Sequence, residues 1–392
     1  MHLTKNMQQE RERFMEKKKV LFTATVVKTH MMQFHLPYLK LFQDMGWETH
    51  VASKNDYEDP KDCMIPYCDQ YFDIPFARMP WKKENISAYR QLKKIIDEND
   101  YDLIHCHTPV GAMITRLAAA AARKKGTKVI YTAHGFHFFK GAPLVNWLAF
   151  YPAEWILAPL TDCLITINQE DYARAKKIMA PKRLEYVPGV GINTEKFRHS
   201  PEENQKKREE LGFGPEDFLM LTVAEMTPNK NHITALKAIE KLKGTAEYEK
   251  LHYLIVGRGE MWSSLEESAK QMGIQDHVHF LGYRTDAPQL YGACDLFVFV
   301  SFREGLPVAL MEAMSSGMGI VCTKIRGNTD LIVDGENGLF TENNPDAVAQ
   351  AILKMARDPE MRNRLGAAAG ESALLYDEKT IHQQVKEIYL SM

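Results

Sequence analysis

The sequence predicts an α/β protein built from two doubly wound, Rossmann-like parallel-sheet lobes. From residue 19 onward, short apolar runs alternate with helical patterns, which is typical of successive β–α–β units. The alternation pauses over 194–217, a charged stretch with Pro and Gly, and then starts again. A chain of 392 residues is long enough for two such lobes. We expect the lobes to face each other across a cleft.

Each lobe contains five apolar runs that we predict as strands. In the first lobe they are 19–26, 47–53, 101–107, 128–134 and 162–168, with helical patterns over 86–99, 110–125 and 169–179. In the second lobe they are 217–225, 251–257, 277–282, 294–301 and 319–323. Ligands of open parallel sheets bind beyond the carboxyl ends of the strands, so the functional residues should follow these runs.

The same patterns divide the chain into four parts. Residues 1–16 are a polar extension, and 17–195 form a first lobe. Residues 196–372 form a second lobe, and 373–392 a C-terminal helix packing back toward the first lobe.

Composition and charge exclude several classes of protein. With 45% hydrophobic and 26% charged residues and a net charge of −2, the chain is an ordinary globular protein with no nucleic-acid partner. Residues 1–195 carry 27 basic and 22 acidic side chains, which favours an anionic partner for the first lobe. The chain lacks a long apolar run and a signal sequence, and its six scattered cysteines predict reduced thiols, so we expect a cytoplasmic protein.

The strongest motif, 301–321, directly follows a predicted strand. Gly305 allows close backbone approach, Pro307 suits a first helical residue, and the amides of Gly305 and Leu306 would point out from a helix N-terminus toward an anion. Glu304 and Glu312 could both accept hydrogen bonds from sugar hydroxyls. The alternative is a solvated helix start with two glutamates favoured by the helix dipole.

The pattern E-G-x-P-x4-E followed by A-x3-G, over 304–317, resembles the signature of retaining glycosyltransferases of family 4, which have the GT-B fold. Residues 131–177 look like bacterial capsule and exopolysaccharide glycosyltransferases, and the resemblance covers nearly all of 17–392. It implies that Glu304 approaches the donor sugar and that the amides of Gly305 and Leu306 hold the sugar and diphosphate. It also implies that Glu312 binds the ribose, that the first lobe, 17–195, binds the acceptor, and that the second lobe, 196–372, binds the nucleotide-sugar donor.

Further donor contacts follow from the same resemblance. Lys230, in the turn after 217–225, matches a cation that faces the diphosphate, whereas Glu225 stands where the family usually has Arg. Arg258, in a Gly-Arg-Gly turn, and the adjacent Tyr283 and Arg284 match loops that border the phosphates and base, largely through backbone groups. For Lys230 the alternative is a solvated lysine in a first helical turn.

The candidate functional residues of the first lobe are histidines and a threonine. The resemblance places His134 near the transferring sugar and diphosphate, where a neutral imidazole can donate a hydrogen bond. His107 is a candidate for contact with the acceptor substrate. The alternative is a core residue whose hydrogen bonds are satisfied within the protein. The first loop, 23–39, lacks the glycines usual in the family, and its candidates for acceptor contact are Thr25, His30 and His35.

No metal or other cofactor is expected. Strand alternation should point Cys106 away from His105 and His107, and the Asp100–Asp102 D-x-D precedes its strand, so neither forms a metal site. Cationic side chains and helix dipoles would hold the diphosphate instead.

The resemblance therefore implies a retaining transferase. It would move a hexose or N-acetylhexosamine from a UDP-sugar to a glycan acceptor carried on a polyprenyl diphosphate. A UDP-sugar epimerase of the same fold and a non-catalytic sugar-nucleotide or polysaccharide-binding protein are the alternatives. The lysines of the first lobe and the aromatic segment 146–160 predict peripheral binding to the anionic inner membrane surface, the alternative being a buried helix.

Overall fold

The structure is a computed structural model that describes residues 17–139, 141–179 and 181–392. The predicted N-terminal extension, 1–16, lies outside these residues. Two compact units are present: residues up to Val187 with 382–392, and Pro188–Ile381. The division thus lies at 187/188 rather than 195/196, and residues 373–381 belong to the second unit.

The first unit is built on a seven-stranded parallel sheet. Its order, β3-β2-β1-β4-β5-β6-β7, reverses between β1 and β4. The strands are β1 (Lys19–Val26), β2 (Glu48–Lys54), β3 (Gln70–Asp73), β4 (Leu103–His107), β5 (Lys128–Ala133), β6 (Cys163–Thr166) and β7 (Leu184–Tyr186). The helices are α1 (Leu36–Asp44), α2 (Glu84–Asn99), α3 (Pro109–Ala118), α4 (Ala120–Lys124), α5 (Leu144–Leu157) and α6 (Gln169–Ile178).

The second unit repeats the plan with six parallel strands. Its order, β10-β9-β8-β11-β12-β13, reverses between β8 and β11. The strands are β8 (Phe218–Val223), β9 (Leu251–Val256), β10 (Val278–Gly282), β11 (Leu296–Phe299), β12 (Gly319–Thr323) and β13 (Leu339–Thr341). The helices are α7 (Pro201–Glu210), α8 (His232–Lys241), α9 (Trp262–Gln271), α10 (Ala287–Ala293), α11 (Val308–Ser315), α12 (Asn328–Leu331), α13 (Pro345–Arg357) and α14 (Pro359–Ala373). A final helix, α15 (Glu378–Leu390), runs across the boundary at 381/382.

All ten predicted strands are present, and the predicted α/β class with two parallel sheets is confirmed. The edge strands β3, β7 and β13 were not predicted. The expected helix over 110–125 is interrupted at Ala119, which separates α3 from α4. Within the described residues, no helix combines the length and apolar character needed to cross a bilayer.

Helix α5 is attached to the first unit through a buried ion pair. Arg116 of α3 donates to the Glu154 carboxylate at 2.8 Å, and the Tyr131 hydroxyl donates to the other oxygen at 3.3 Å. The guanidinium also lies over the Tyr131 ring, 4.4 Å from its centre. Glu154 and Leu157 are the buried residues of α5, so the helix is held along one narrow side.

We expect Glu154→Ala to destabilise the first unit by roughly 3–5 kcal/mol, because it leaves a buried guanidinium without its counter-charge. Thermal unfolding followed by tryptophan fluorescence is the measurement, since four of the five tryptophans lie in this unit. Asp97→Ala, which breaks an exposed 2.6 Å pair with Lys93, is the control and should cost under about 0.5 kcal/mol. If the two variants lower the unfolding temperature equally, Glu154 does not anchor α5.

Candidate functional site

The predicted donor residues follow strands on either side of the point where the second sheet reverses its order. Open α/β sheets bind ligands at such a switch point. Lys230 follows β8 in a turn at Pro228–Lys230, and Glu304 follows the adjacent β11. The Asn229 side chain donates to the Arg303 carbonyl at 2.9 Å, which ties the two loops together.

Lys230 and Glu304 form an ion pair. Lys230 Nζ lies 2.7 Å from Glu304 Oε1, and only 22% and 10% of the two side chains are exposed. The ammonium also lies 5.2 Å from the centre of the Phe299 ring. A positive and a negative group are thus held together at the edge of the sheet, able to contact a phosphate and a sugar hydroxyl respectively.

The loop between β11 and α11 is held by the turn after β12. Arg326 Nε donates to the Glu304 carbonyl at 3.1 Å, and Gly327 packs so closely that a Cβ there would lie 2.5 Å from the Gly305 carbonyl oxygen. Gly327 has φ +82°, a conformation that favours glycine. Helix α11 begins at Val308, with Pro307 at the N-cap rather than at the first helical position as predicted.

Glu312 lies in a different environment from Glu304. The Tyr291 hydroxyl donates to its carboxylate at 2.8 Å, and burial raises the pKa of Glu312. The same hydroxyl lies 3.2 Å from the Ala309 carbonyl. Sequence reasoning missed Tyr291, since nothing in its local pattern indicates a partner twenty-one residues along the chain.

The remaining donor candidates are more exposed. Arg258 lies over the ring of the exposed Tyr283, 6.0 Å from its centre. Arg284 donates two hydrogen bonds to Asp286, at 2.7 and 2.5 Å, and Lys207 pairs with the same carboxylate at 2.8 Å. The Arg284 side chain is therefore engaged within the protein, which leaves its backbone as the group that could contact a ligand.

A cavity of about 290 Å³ opens at the carboxyl edge of the first sheet. Its polar lining includes Thr25, Thr29, His30, Thr108 and Arg78. Thr25 and Thr108 share a 2.6 Å hydrogen bond between their hydroxyls, and Thr108 takes a left-handed φ of +62° at the start of α3. Thr25 therefore lines a cavity that is large enough for a ligand, although its hydroxyl already has a protein partner.

His134 and His107 meet beside this cavity, with His134 Nε2 and His107 Nδ1 3.3 Å apart. A π-helical turn at Val27–Met31 and the residues after it bring His30 and His35 to the same place. Burial lowers the pKa of all four, that of His134 to about 4, so neutral imidazoles are present near pH 7. The sequence did not predict that these four histidines form one cluster.

The predicted strand alternation in β4 and the predicted position of the D-x-D before its strand are both observed. Cys106 packs in the apolar core while His105 and His107 lie together on the other side of the strand, their ring centres 4.0 Å apart. Asp102 accepts from the Lys19 amide at 2.9 Å, at the amino end of β1. The D-x-D is therefore a strand-entry turn.

Two parallel-sheet α/β lobes, each with one reversal in its strand order, are the architecture of the GT-B glycosyltransferases. The chain belongs to the glycosyltransferases: residues 203–372 match the model "Glycosyl transferases group 1", and residues 19–168 match "Glycosyl transferase 4-like".

Relatives agree with this assignment. A Bacillus subtilis (strain 168) protein with the provisional name glycosyltransferase EpsD is 43% identical over 375 residues, 95% of this chain and 96% of that protein. The Escherichia coli UDP-Gal:alpha-D-GlcNAc-diphosphoundecaprenol alpha-1,3-galactosyltransferase is 29% identical, with 70% of each chain covered. The structure of Anabaena Alr3699/HepE in complex with UDP has a TM-score of 0.78 at 20% identity, covering 96% of this chain and 100% of that one. This last likeness concerns the fold.

Proposed function

We propose that this glycosyltransferase is a retaining enzyme that transfers a hexose or N-acetylhexosamine from a UDP-sugar to a hydroxyl of a lipid-linked glycan. The observation that carries the proposal is the Lys230–Glu304 pair, 2.7 Å apart beside the N-terminus of α11. It supplies a cation for a diphosphate and a carboxylate for a sugar in one place.

Each donor group then has a defined role. Lys230 and the amides of Gly305 and Leu306 neutralise the diphosphate, where charge develops as the bond to the sugar breaks. Glu304 accepts hydrogen bonds from the donor sugar, and Glu312 accepts them from the ribose. In this proposal the diphosphate needs no divalent cation.

The reaction would proceed on one face of the sugar. The bond between the anomeric carbon and the UDP oxygen breaks, and a bond from the same carbon to the acceptor oxygen forms. The acceptor's proton passes to the departing diphosphate, so no protein nucleophile is required. His134, as a neutral imidazole, would donate a hydrogen bond to the sugar or leaving group.

The acceptor proposal draws on the relatives. The Escherichia coli relative acts, by its name, on a diphosphoundecaprenol-linked sugar. The cavity of the first unit has hydroxyl and imidazole groups for a sugar and the exposed Arg78 for a phosphate. We propose a polyprenyl-diphosphate-linked saccharide as the acceptor class.

The test is turnover with a panel of UDP-sugars, with and without polyprenyl-diphosphate-linked saccharides. A transferase consumes donor rapidly only with acceptor, and the product keeps the anomeric configuration of the donor. Interconversion of donor sugars without acceptor would indicate an epimerase. Donor binding without any turnover across the panel would indicate a binding protein.

We further propose that the enzyme works at the inner, cytoplasmic membrane surface. Helix α5 exposes five large apolar side chains: Leu144, Val145, Leu148, Trp155 and Ile156. Phe150 of this helix and Arg78 line the same cavity, so the exposed segment Met79–Lys83, with Trp81, Lys82 and Lys83, lies close by. Apolar and basic side chains side by side suit an anionic lipid surface.

The structure indicates which lysines of the first unit could contribute to membrane binding. Lys93 and Lys94 pair with Asp97 and Glu98 one turn along α2, at 2.6 and 3.8 Å, so their charge is locally balanced. We expect the double variant Lys82→Ala/Lys83→Ala to weaken binding to anionic vesicles roughly tenfold or more at low salt, since each basic residue near such a surface contributes about 1 kcal/mol. Sedimentation with anionic and neutral vesicles at low and high salt measures it.

Two matched controls accompany the vesicle experiment. Lys93→Ala/Lys94→Ala should bind as the unmodified chain does. Leu148→Glu should weaken binding, whereas Leu375→Glu, at an equally exposed leucine of the second unit, should not. Equal sedimentation of all variants with every vesicle would rule out membrane binding through this surface.

A further inference from the structure

Four histidines of the first unit form a compact cluster, and the roles proposed for His134 and for the cavity's imidazole do not explain why all four lie together. One nitrogen from each of His30, His35, His107 and His134 lies within 4.8 Å of the others. His35 stacks on His107 with 3.7 Å between ring centres, and His30 meets His134 edge to face at 4.8 Å. Three different segments of the chain, before α1, at the end of β4 and after β5, supply them.

Four buried nitrogens of this cluster lack hydrogen-bond partners among the described residues. They are both ring nitrogens of His35, Nε2 of His30 and Nε2 of His107. His35 and His107 are 2% and 1% exposed. An unsatisfied buried polar group costs roughly 1–3 kcal/mol, so several in one place indicate that something else satisfies them.

The neighbouring His105 shows what a purely structural histidine looks like in this fold. Its Nδ1 meets the Tyr389 hydroxyl at 2.6 Å, and its Nε2 meets the Thr132 hydroxyl at 2.8 Å. Both of its nitrogens are satisfied by protein groups. In the nearby His35, neither ring nitrogen has such a partner. Ordinary core packing therefore accounts for His105 but not for the cluster.

We propose that His30, His35, His107 and His134 bind one divalent transition-metal ion, with Zn²⁺ as the ion that fits best. Neutral imidazole is a common ligand of zinc, which takes four ligands in a tetrahedron at Zn–N distances of about 2.0–2.1 Å. Tetrahedral ligand nitrogens are then about 3.4 Å apart. His134 Nε2 and His107 Nδ1 are already 3.3 Å apart, and one nitrogen from each of the four rings lies within 4.8 Å of the others.

An ion could reach this site from solvent. His30 lines the 290 Å³ cavity, so the cluster borders an opening rather than lying sealed in the core. The bound ion would fix the ring orientations of His134 and His107 and tie the glycine-free first loop to the ends of β4 and β5. This site departs from the sequence-based expectation that the chain binds no metal.

The experiment measures metal binding without any sugar nucleotide, so its outcome is independent of the proposed transferase activity. The chain is purified with a tag that contains no histidine, stripped with a chelator and titrated with Zn²⁺ against a chromophoric competitor. His35→Phe removes a ligand and keeps a ring against His107 and Phe22. His252→Phe is the control, from the second unit, where His252 and His279 form a two-histidine contact at 3.2 Å.

We expect one equivalent of Zn²⁺ in the unmodified chain and in His252→Phe, and roughly 100-fold or more weaker binding in His35→Phe, since even losing a group that only orients a ligand costs 10–100-fold. Equal affinity in His35→Phe, or less than one equivalent in the unmodified chain, would overturn the proposal. If His35→Phe does not fold, His30→Phe takes its place. The absorption spectrum of the unmodified chain loaded with Co²⁺ is a second test. Intense bands of tetrahedral Co²⁺ would support the site, and the weak bands of octahedral Co²⁺ would overturn it.

Discussion

Replacing Lys230 with alanine should lower turnover by ~10²-fold or more, the scale on which loss of one preorganised group that stabilises developing negative charge reduces rate. The ammonium is held 2.7 Å from Glu304, so it is positioned before the donor binds. The family's usual arginine is replaced by Glu225, an exposed residue whose backbone carbonyl lies 3.1 Å from His232 Nε2. We therefore expect Lys230 to carry more of the diphosphate's charge than it would beside that arginine.

Steady-state kinetics of Lys230→Ala and Lys241→Ala measure the contribution of Lys230 to turnover. Lys241 pairs with Asp346 at 2.8 Å on the surface of the same unit, and its loss should leave turnover within a few-fold. The double variant Lys230→Ala/Glu304→Ala should be less impaired than the product of the single effects, because the two side chains act as a pair. Turnover of Lys230→Ala within a few-fold of the unmodified chain would remove Lys230 from the site.

The sheets could be predicted because their central strands are buried on both faces. β11 reads as a continuous apolar run, and every one of its residues is buried. The missed strands lie at or near sheet edges and are three or four residues long. β3 has exposed ends and β7 is only half-buried, so their sequences do not differ from those of loops.

The proximity of Lys230 and Glu304 could be predicted for a similar reason. Lys230 and Glu304 each follow an identifiable strand, and adjacency of β8 and β11 brings them together. The histidine cluster could not be predicted from the sequence. His30 and His35 reach it because of a π-helical turn at Val27–Met31, which no local sequence pattern indicates. Tyr291 was missed because its contact with Glu312 depends on how α10 packs against α11.

The two glutamates of the motif should differ in their kinetic effects. Glu304→Ala should lower turnover strongly, because the donor sugar that it would contact carries the developing charge. Glu312→Ala should instead raise the donor KM by roughly 10- to 150-fold, which corresponds to the ~1.5–3 kcal/mol of a hydrogen bond to a charged group. Its turnover at saturating donor should stay within a few-fold, since the ribose is remote from the bond that breaks.

The surroundings of the two residues allow a clean comparison. Loss of the Glu312 carboxylate leaves the Tyr291 hydroxyl within 3.2 Å of the Ala309 carbonyl, so the tyrosine keeps an acceptor. Tyr291→Phe should raise the donor KM by less than Glu312→Ala, because it removes a group that positions the carboxylate rather than the carboxylate itself. Glu336→Ala, at an exposed glutamate of the same unit, should change neither constant. If Glu304→Ala and Glu312→Ala lower turnover and raise KM to the same extent, the separate roles for sugar and ribose are wrong.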